Sequence, residues 1–192
     1  MEKNKIVRPC RMLVIGGSAG SIEVILKVLP DLKKYFSFTI VIVLHRKSSA
    51  DSSLSELFST RTEIPVKEIE DKEIIQQGFI YVAPADYHLL FEKNNFFALD
   101  SSEKINYSRP SIDVTFESAA DIYKADLTCL LLSGANADGM EGLKFVKSTG
   151  GQLAVQDPDT AESPFMPRHA LLENEIDFVL DPEKMAEFIN GL

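Results

Sequence analysis

Three side chains in this sequence have the types that acyl transfer needs. Ser18 stands in Gly16-Gly17-Ser18-Ala19-Gly20, a G-x-S-x-G spacing directly after the apolar run "MLVI". A serine hydroxyl becomes a useful nucleophile when a base removes its proton and a third group orients that base. Between a strand and a helix, this spacing suits a sharp turn that exposes the hydroxyl. The small neighbours let the turn close, and the helix N-terminus offers free N–H groups to an oxyanion. Read alone, Ser18 or Ser21 serves equally well as a helix cap. A phosphate cradle fits less well: Ser18 occupies the second glycine of a GxGxxG fingerprint, and no GxxxxGK[ST] is present.

The base and its orienter are sought at other strand ends. His45 immediately follows the run "FTIVIVL" at 38–44, and Asp138 stands in "LLLSGANADGMEG" after another apolar run. Singly, His45 reads as a rim histidine, and Asp138, with Glu141 three residues on, resembles a capping box. Together they say more. In an open parallel α/β sheet, ligand sites lie beyond the carboxyl ends of the strands. Ser18, His45 and Asp138 each follow such an end. Their chain order, Ser…His…Asp, differs from the Ser…Asp…His of α/β-hydrolases, but a triad is defined by roles rather than order.

The elements that must position these residues are legible in outline. "RMLVIGG" and "FTIVIVL" are apolar throughout, as are strands buried on both faces of a parallel sheet. Between them Ile22, Ile25, Leu26 and Leu29 follow helical spacing, with Pro30 ending or kinking the helix. "IPVKEI", "GFIYVAPAD" and "YHLLFEKNNFFALD" read as short strands in an antiparallel insertion or edge. The last is a hairpin turning near Asn94 and Asn95. "EIEDKE" at 68–73 reads as a charged turn. The spacing then predicts a helix over 111–124 with Ser111 as N-cap, a strand over 127–134 and a helix from about Gly139 to Ser148. A strand at 152–156 and a helix at 182–190 close the chain. With no internal repeat or linker, residues 1–192 read as one α/β domain.

Bulk properties narrow the class. The chain has 192 residues and a formal net charge of −9, with 29 acidic against 20 basic side chains. That balance argues against a nucleic-acid partner. Cys10 and Cys129 are the two cysteines, far apart, which fits a reducing compartment rather than a disulfide scaffold. His45, His88 and His169 are dispersed, with no metal-binding pattern, so no metal or cofactor is expected. The basic start and the run "MLVI" are too short for a signal peptide, and no stretch reaches the length of a membrane span. The expectation is a cytoplasmic protein without membrane insertion.

Several blocks, "IGGSAGS", "LHRKSS", "YVAPADYHL", "RPSIDVTF", "LLSGANADGMEGL" and "FMPRHAL", occur in an order that resembles the catalytic domain of the chemotaxis receptor methylesterases, the CheB family. The resemblance covers nearly the whole chain. It implies a doubly wound, mainly parallel sheet flanked by helices, and a serine hydrolase of γ-glutamyl methyl esters on the cytoplasmic helices of chemoreceptors. Deamidation of receptor glutamines is a further activity of that family. It assigns Ser18 as nucleophile, His45 as base and Asp138 as orienting carboxylate. The oxyanion then falls to N–H groups at Ala19 and Gly20, with the loop Gly134, Ala135 and Asn136 as a second source. Arg109 and Arg168 are candidate substrate contacts, each equally readable as exposed, and Arg46 and Lys47 could meet an acidic receptor surface or simply be solvated. His88 is expected to be structural or at the rim, and His169 to face solvent.

The sequence departs from the family pattern in places. Ser18-Ala19-Gly20-Ser21 replaces Ser-Thr-Gly-Gly, and Ala135 replaces a methionine beside the active site, which implies a wider cleft and bears on substrate preference. Family members typically carry a preceding receiver domain, whereas this sequence begins about ten residues before the first catalytic strand. Constitutive activity, control by a receiver or kinase partner, and a sequence that is one piece of a longer protein are all open. Two other functions are also open: a signalling module that only binds, and a small-molecule esterase or amidase.

Overall fold

A computed structural model of the chain describes residues 6–46 and 54–192. Nine strands and six α-helices are found among them. The strands are β1 (Met12–Gly17), β2 (Thr39–Leu44), β3 (Val66–Glu68), β4 (Ile80–Val82), β5 (His88–Glu92), β6 (Phe96–Asp100), β7 (Leu127–Leu131), β8 (Gln152–Gln156) and β9 (Phe178–Leu180). The helices are α1 (Ser21–Val28), α2 (Leu54–Ser59), α3 (Ile112–Tyr123), α4 (Met140–Ser148), α5 (Phe165–Glu173) and α6 (Pro182–Asn190).

Seven strands form one parallel sheet in the order β3-β4-β2-β1-β7-β8-β9. The alternation of side chains along each strand divides the core into two layers. Met12 and Val14, with Val41, Val43, Cys129, Leu131, Leu153 and Val155, pack beneath α3, α4 and α5. Leu13 and Ile15, with Ile40, Ile42, Leu130 and Ala154, pack beneath α1 and α6. Every residue of β1, β2, β7 and β8 is buried, which is why these strands read as continuous apolar runs. Helices on both faces make the sheet doubly wound. The chain moves from β1 to β2, out to the edge strand β3 and back to β4 between them, then crosses to β7 on the other side of β1. The strand order therefore reverses at β1, the place where such folds open a crevice.

The middle of the chain differs from its expected form. The segments "IPVKEI" and "GFIYV" are not antiparallel; they supply β3 and β4, which pair in parallel with each other and with β2. Only β5 and β6 pair antiparallel, as a separate two-stranded sheet that turns with Asn95 in the left-handed region (φ 64°). That hairpin lies over α3, with Leu89, Phe91 and Phe97 joining the same core layer. The sequence reading passed over α2, α5 and β9. Helix α5 carries Pro167 in its first turn, where a missing N–H costs little, and only Met166, Pro167 and Ala170 are buried. With three residues, β9 is too short to show alternation.

Candidate active site

Strand register places the first two residues. Gly17 of β1 pairs with Leu44 of β2, and the His45 N–H donates to the Gly17 carbonyl at 3.1 Å. Ser18 and His45 thus leave adjacent strand ends at the same level. On the other side of β1, Gly16 pairs with Leu131, and the Ser18 N–H donates to the Ser133 carbonyl at 2.9 Å and to Ser21 Oγ at 3.1 Å. The Ser21 hydroxyl donates to that same carbonyl at 2.7 Å. Neither serine side chain caps α1. Its N-cap is Gly20, left-handed at φ 80°, where a Cβ would stand 2.7 Å from Glu162 Cβ.

Asp138 is fully buried and accepts five hydrogen bonds. Its Oδ1 receives Ser111 Oγ at 2.9 Å, the Asp113 N–H at 3.0 Å and the Gly139 N–H at 3.1 Å. Its Oδ2 receives the Ile112 N–H at 2.7 Å and His45 Nε2 at 2.7 Å. The carboxylate does not cap its own helix, as a capping box with Glu141 would require. The N-cap of α4 is Gly139 at φ 99°, without a side-chain cap. Asp138 instead sits on the N-terminus of α3, where the free N–H groups and the helix dipole favour an anion. Burial pushes its pKa up, but the His45 hydrogen bond and the N–H groups of Asp113 and Ile112 outweigh that and hold it below the ordinary carboxylate value.

A second carboxylate lies beside it. Asp113 Oδ1 accepts the Gly142 N–H at 2.8 Å. Burial, partly offset by that bond and reinforced by the Asp138 charge, raises the Asp113 pKa to about 7. Of the two, Asp138 is therefore the ionised member, the one that faces the imidazole.

The hydrogen bonds also assign the His45 ring. Because Oδ2 of Asp138 can only accept, Nε2 carries a proton, and the Asn136 amide nitrogen 3.2 Å from Nδ1 donates to a lone pair there. Only 10% of the His45 side chain is exposed. Ser18 is half-buried, and its Oγ bonds to none of the described residues. An Nδ1 lone pair on the ring of a neighbouring strand end is the base that such a hydroxyl requires.

The expected oxyanion donors divide. The Ala19 N–H donates to no described group and stands at the exposed lip of the turn. The Gly134 N–H is committed to the Ser163 carbonyl at 3.0 Å, so that loop has Ala135 and Asn136 N–H groups to offer instead. Gly134 is nevertheless adjacent to the nucleophile turn, since a Cβ there would lie 2.9 Å from Ser18 Cβ and 1.8 Å from Met166 Sδ. Beneath the turn, Ser133 Oγ donates to the Ala19 carbonyl at 2.7 Å and receives the Ser163 N–H at 2.9 Å. The Ser133 N–H donates to the buried Gln156 Oε1 at 2.9 Å.

Other expected residues are spread around this centre. A cavity of about 520 Å³ opens beside His45, lined by Arg46, Asp86, Lys104, Tyr107, Ser108 and Arg109. Arg109 reaches this cavity, but its Nη1 is bound to the Ser101 and Ser102 carbonyls at 2.8 and 2.6 Å. Arg46 is paired with Glu68, and Lys47 lies outside the described residues. Arg168 is exposed on α5, 4.0 Å from Asp159 and not among the cavity residues. His88 is buried and structural, accepting the Ser111 N–H on Nδ1 at 3.1 Å and facing the Glu103 carbonyl with Nε2 at 3.0 Å. His169 is partly exposed and stacks on Phe165 with ring centroids 3.8 Å apart. The sequence marks Ser111 as the N-cap of α3, a place it takes by accepting the Val114 N–H at 3.4 Å, but not as a partner of Asp138. Asp113, Ser133 and Ser163 carry no sequence signal for the site, and Gln156 carries one only as a polar side chain at the end of a wholly buried strand.

Comparison with known proteins accords with this geometry. A sequence model of the CheB methylesterase family matches residues 13–189. A protein of Leptospira interrogans is 46% identical over 175 residues, 91% of either chain. Another, from Thermotoga maritima, is named protein-glutamate methylesterase/protein-glutamine glutaminase and is 37% identical over 186 residues, 93% of this chain and 54% of its own length. The crystal structure of the Thermotoga maritima CheB methylesterase catalytic domain superposes with a TM-score of 0.91 at 36% identity, covering 96% of this chain and all of that one. The chain belongs to the CheB methylesterase family.

Proposed function

We propose that residues 1–192 act as a single catalytic domain, a protein-glutamate methylesterase with protein-glutamine glutaminase activity, on methylated chemoreceptor helices in the cytoplasm. His45 Nδ1 takes the Ser18 hydroxyl proton as Oγ attacks the γ-carbonyl. The oxyanion is met by the Ala19 N–H, helped by the N–H groups of Ala135 and Asn136. The imidazolium returns the proton to the departing methoxide, or to ammonia's nitrogen in the glutamine case, and methanol or ammonia leaves. Water then attacks the acyl-enzyme by the same proton path, freeing glutamate and Ser18. Asp138 stays ionised and stabilises the imidazolium.

The observation that carries this reading is the buried Asp138–His45 pair at 2.7 Å, in register with Ser18. A buried, ionised carboxylate that holds Nε2–H leaves Nδ1 as the ring nitrogen able to receive a proton.

Mass spectrometry of a methylated receptor cytoplasmic fragment tests it. After incubation with the purified chain, methyl-ester sites should lose one methylene mass and susceptible glutamines should become glutamates. Ser18→Ala should leave both unchanged. Binding of the fragment without either mass change would favour a signalling module, and turnover of simple esters alone would favour a small-molecule esterase.

A further inference from the structure

The hydrogen bonds around His45 include one that catalysis must break. Asn136 Nδ2 lies 3.2 Å from His45 Nδ1 and 3.4 Å from Ser108 Oγ. The amide orientation follows from its other end, because Asn136 Oδ1 accepts the Asp138 N–H at 3.2 Å. Acceptors and donors then alternate around a closed ring: Asp138 Oδ2 accepts from Nε2, Nδ1 accepts from Asn136, and Asn136 accepts from the Asp138 backbone. No member of the ring can be reversed without placing two donors or two acceptors face to face.

An imidazole nitrogen has a single lone pair in the ring plane. While Asn136 occupies it, the Ser18 hydroxyl has no base, and Ser18 Oγ is indeed without a hydrogen bond among the described residues. We infer that Asn136 is a positioning residue that holds His45 Nδ1 in the resting enzyme and must yield that lone pair to Ser18 before acylation. The inference rests on the proposed roles of Ser18 and His45 and adds a competitor for the base. Asn136 Nδ2 also donates to Ser108 Oγ at 3.4 Å, a bond that it can keep when it releases Nδ1.

Two substitutions separate this from a merely structural role. Asn136→Ala removes the competitor. Asn136→Asp keeps an oxygen for the Asp138 N–H but sets a carboxylate against Nδ1, which draws a proton onto the ring. A small fluorophosphonate that labels active serines reports base availability without any receptor. Asn136→Ala should label at Ser18 about fivefold faster than wild type, the fold-change of one ordinary net hydrogen bond. Asn136→Asp should label more slowly than wild type at neutral pH. Unchanged or slower labelling of Asn136→Ala would overturn the inference, as would equal slowing of both variants.

Nitrogen-15 spectra of the histidine rings give a second readout that needs no nucleophile. The His45 Nδ1 resonance should move toward that of an unbonded lone pair in Asn136→Ala, and a resonance that does not move would also overturn the inference. Wild type that fails to label at Ser18 while showing this shift would instead refute the proposed nucleophile and leave the Asn136 contact standing.

Discussion

At the scale of single residues, the site is governed by what surrounds Asp138. A buried carboxylate is costly unless its charge is matched, and here four N–H or O–H donors and an imidazole meet two oxygens. Replacing Asp138 by Asn would place an NH2 or a neutral oxygen where Nε2–H must be accepted, and would favour the opposite tautomer. The expected loss in kcat is roughly 10³- to 10⁴-fold with KM little changed, read from steady-state methanol release. Asp113 gives a second prediction, with a definite sign. Its folded pKa of about 7 lies above the ordinary aspartate value of 3.8, so the folded chain keeps a proton that the unfolded chain releases. This contribution favours folding at acid pH and is lost as pH rises from about 4 through about 7. Asp138, lowered below 3.8, acts in the other sense and only at lower pH. This group should pull the wild-type Tm down between about pH 4 and about pH 7, a slope that should be weaker in Asp113→Asn. Equal slopes in calorimetry would contradict the assignment of the proton to Asp113.

At the scale of elements, the site is made of strand ends joined by a helix terminus from another part of the chain. Ser18, His45 and Asp138 were legible in the sequence because each follows an apolar run, and parallel strands bring such ends to one edge. The grip of α3 on Asp138 was not legible. It joins residues 25 to 27 positions apart, and locally Ser111 promised only a cap for its own helix. The alternative of a capping box from Asp138 and Glu141 is not what the fold uses, since Gly139 takes the N-cap place. β3 and β4 were seen as strands of an antiparallel insertion or edge; β3 does lie at the sheet edge, but both pair in parallel, since short apolar runs carry no information on direction. Close packing between elements also fixes Gly134. A methyl group there would meet Met166 Sδ and Ser18 Cβ, so Gly134→Ala should cost about 1–3 kcal/mol in chemical denaturation. It should also lower Ser18 labelling, because the nucleophile turn must shift. Wild-type stability in this variant would mean that Met166 can move aside freely.

At the scale of the whole molecule, the reversal of strand order at β1 gathers the reactive groups at one end and leaves the remaining buried groups inert. Both cysteines are examples. Burial pushes the Cys10 thiol up to about 11 and the Cys129 thiol well above its ordinary value. The native chain should resist iodoacetamide at neutral pH and keep its full hydrolytic rate, with both thiols alkylated only after unfolding. Rapid inactivation by the reagent would point to a cysteine in the chemistry. Among the described residues no helix is long and apolar enough to cross a bilayer. A cavity beside His45 that carries Arg46, Lys104 and Arg109 against Asp86 gives a net-acidic protein a locally cationic mouth.

The central claim is that Ser18 forms an acyl-enzyme with help from His45 and Asp138. Methanol release from methylated chemoreceptor membranes, timed for the purified chain, Ser18→Ala and Asp138→Asn side by side, tests it most directly. The account predicts steady release by wild type, none above background by Ser18→Ala and a severely slowed rate for Asp138→Asn. Release that persists in Ser18→Ala, or an Asp138→Asn rate equal to wild type, would contradict it.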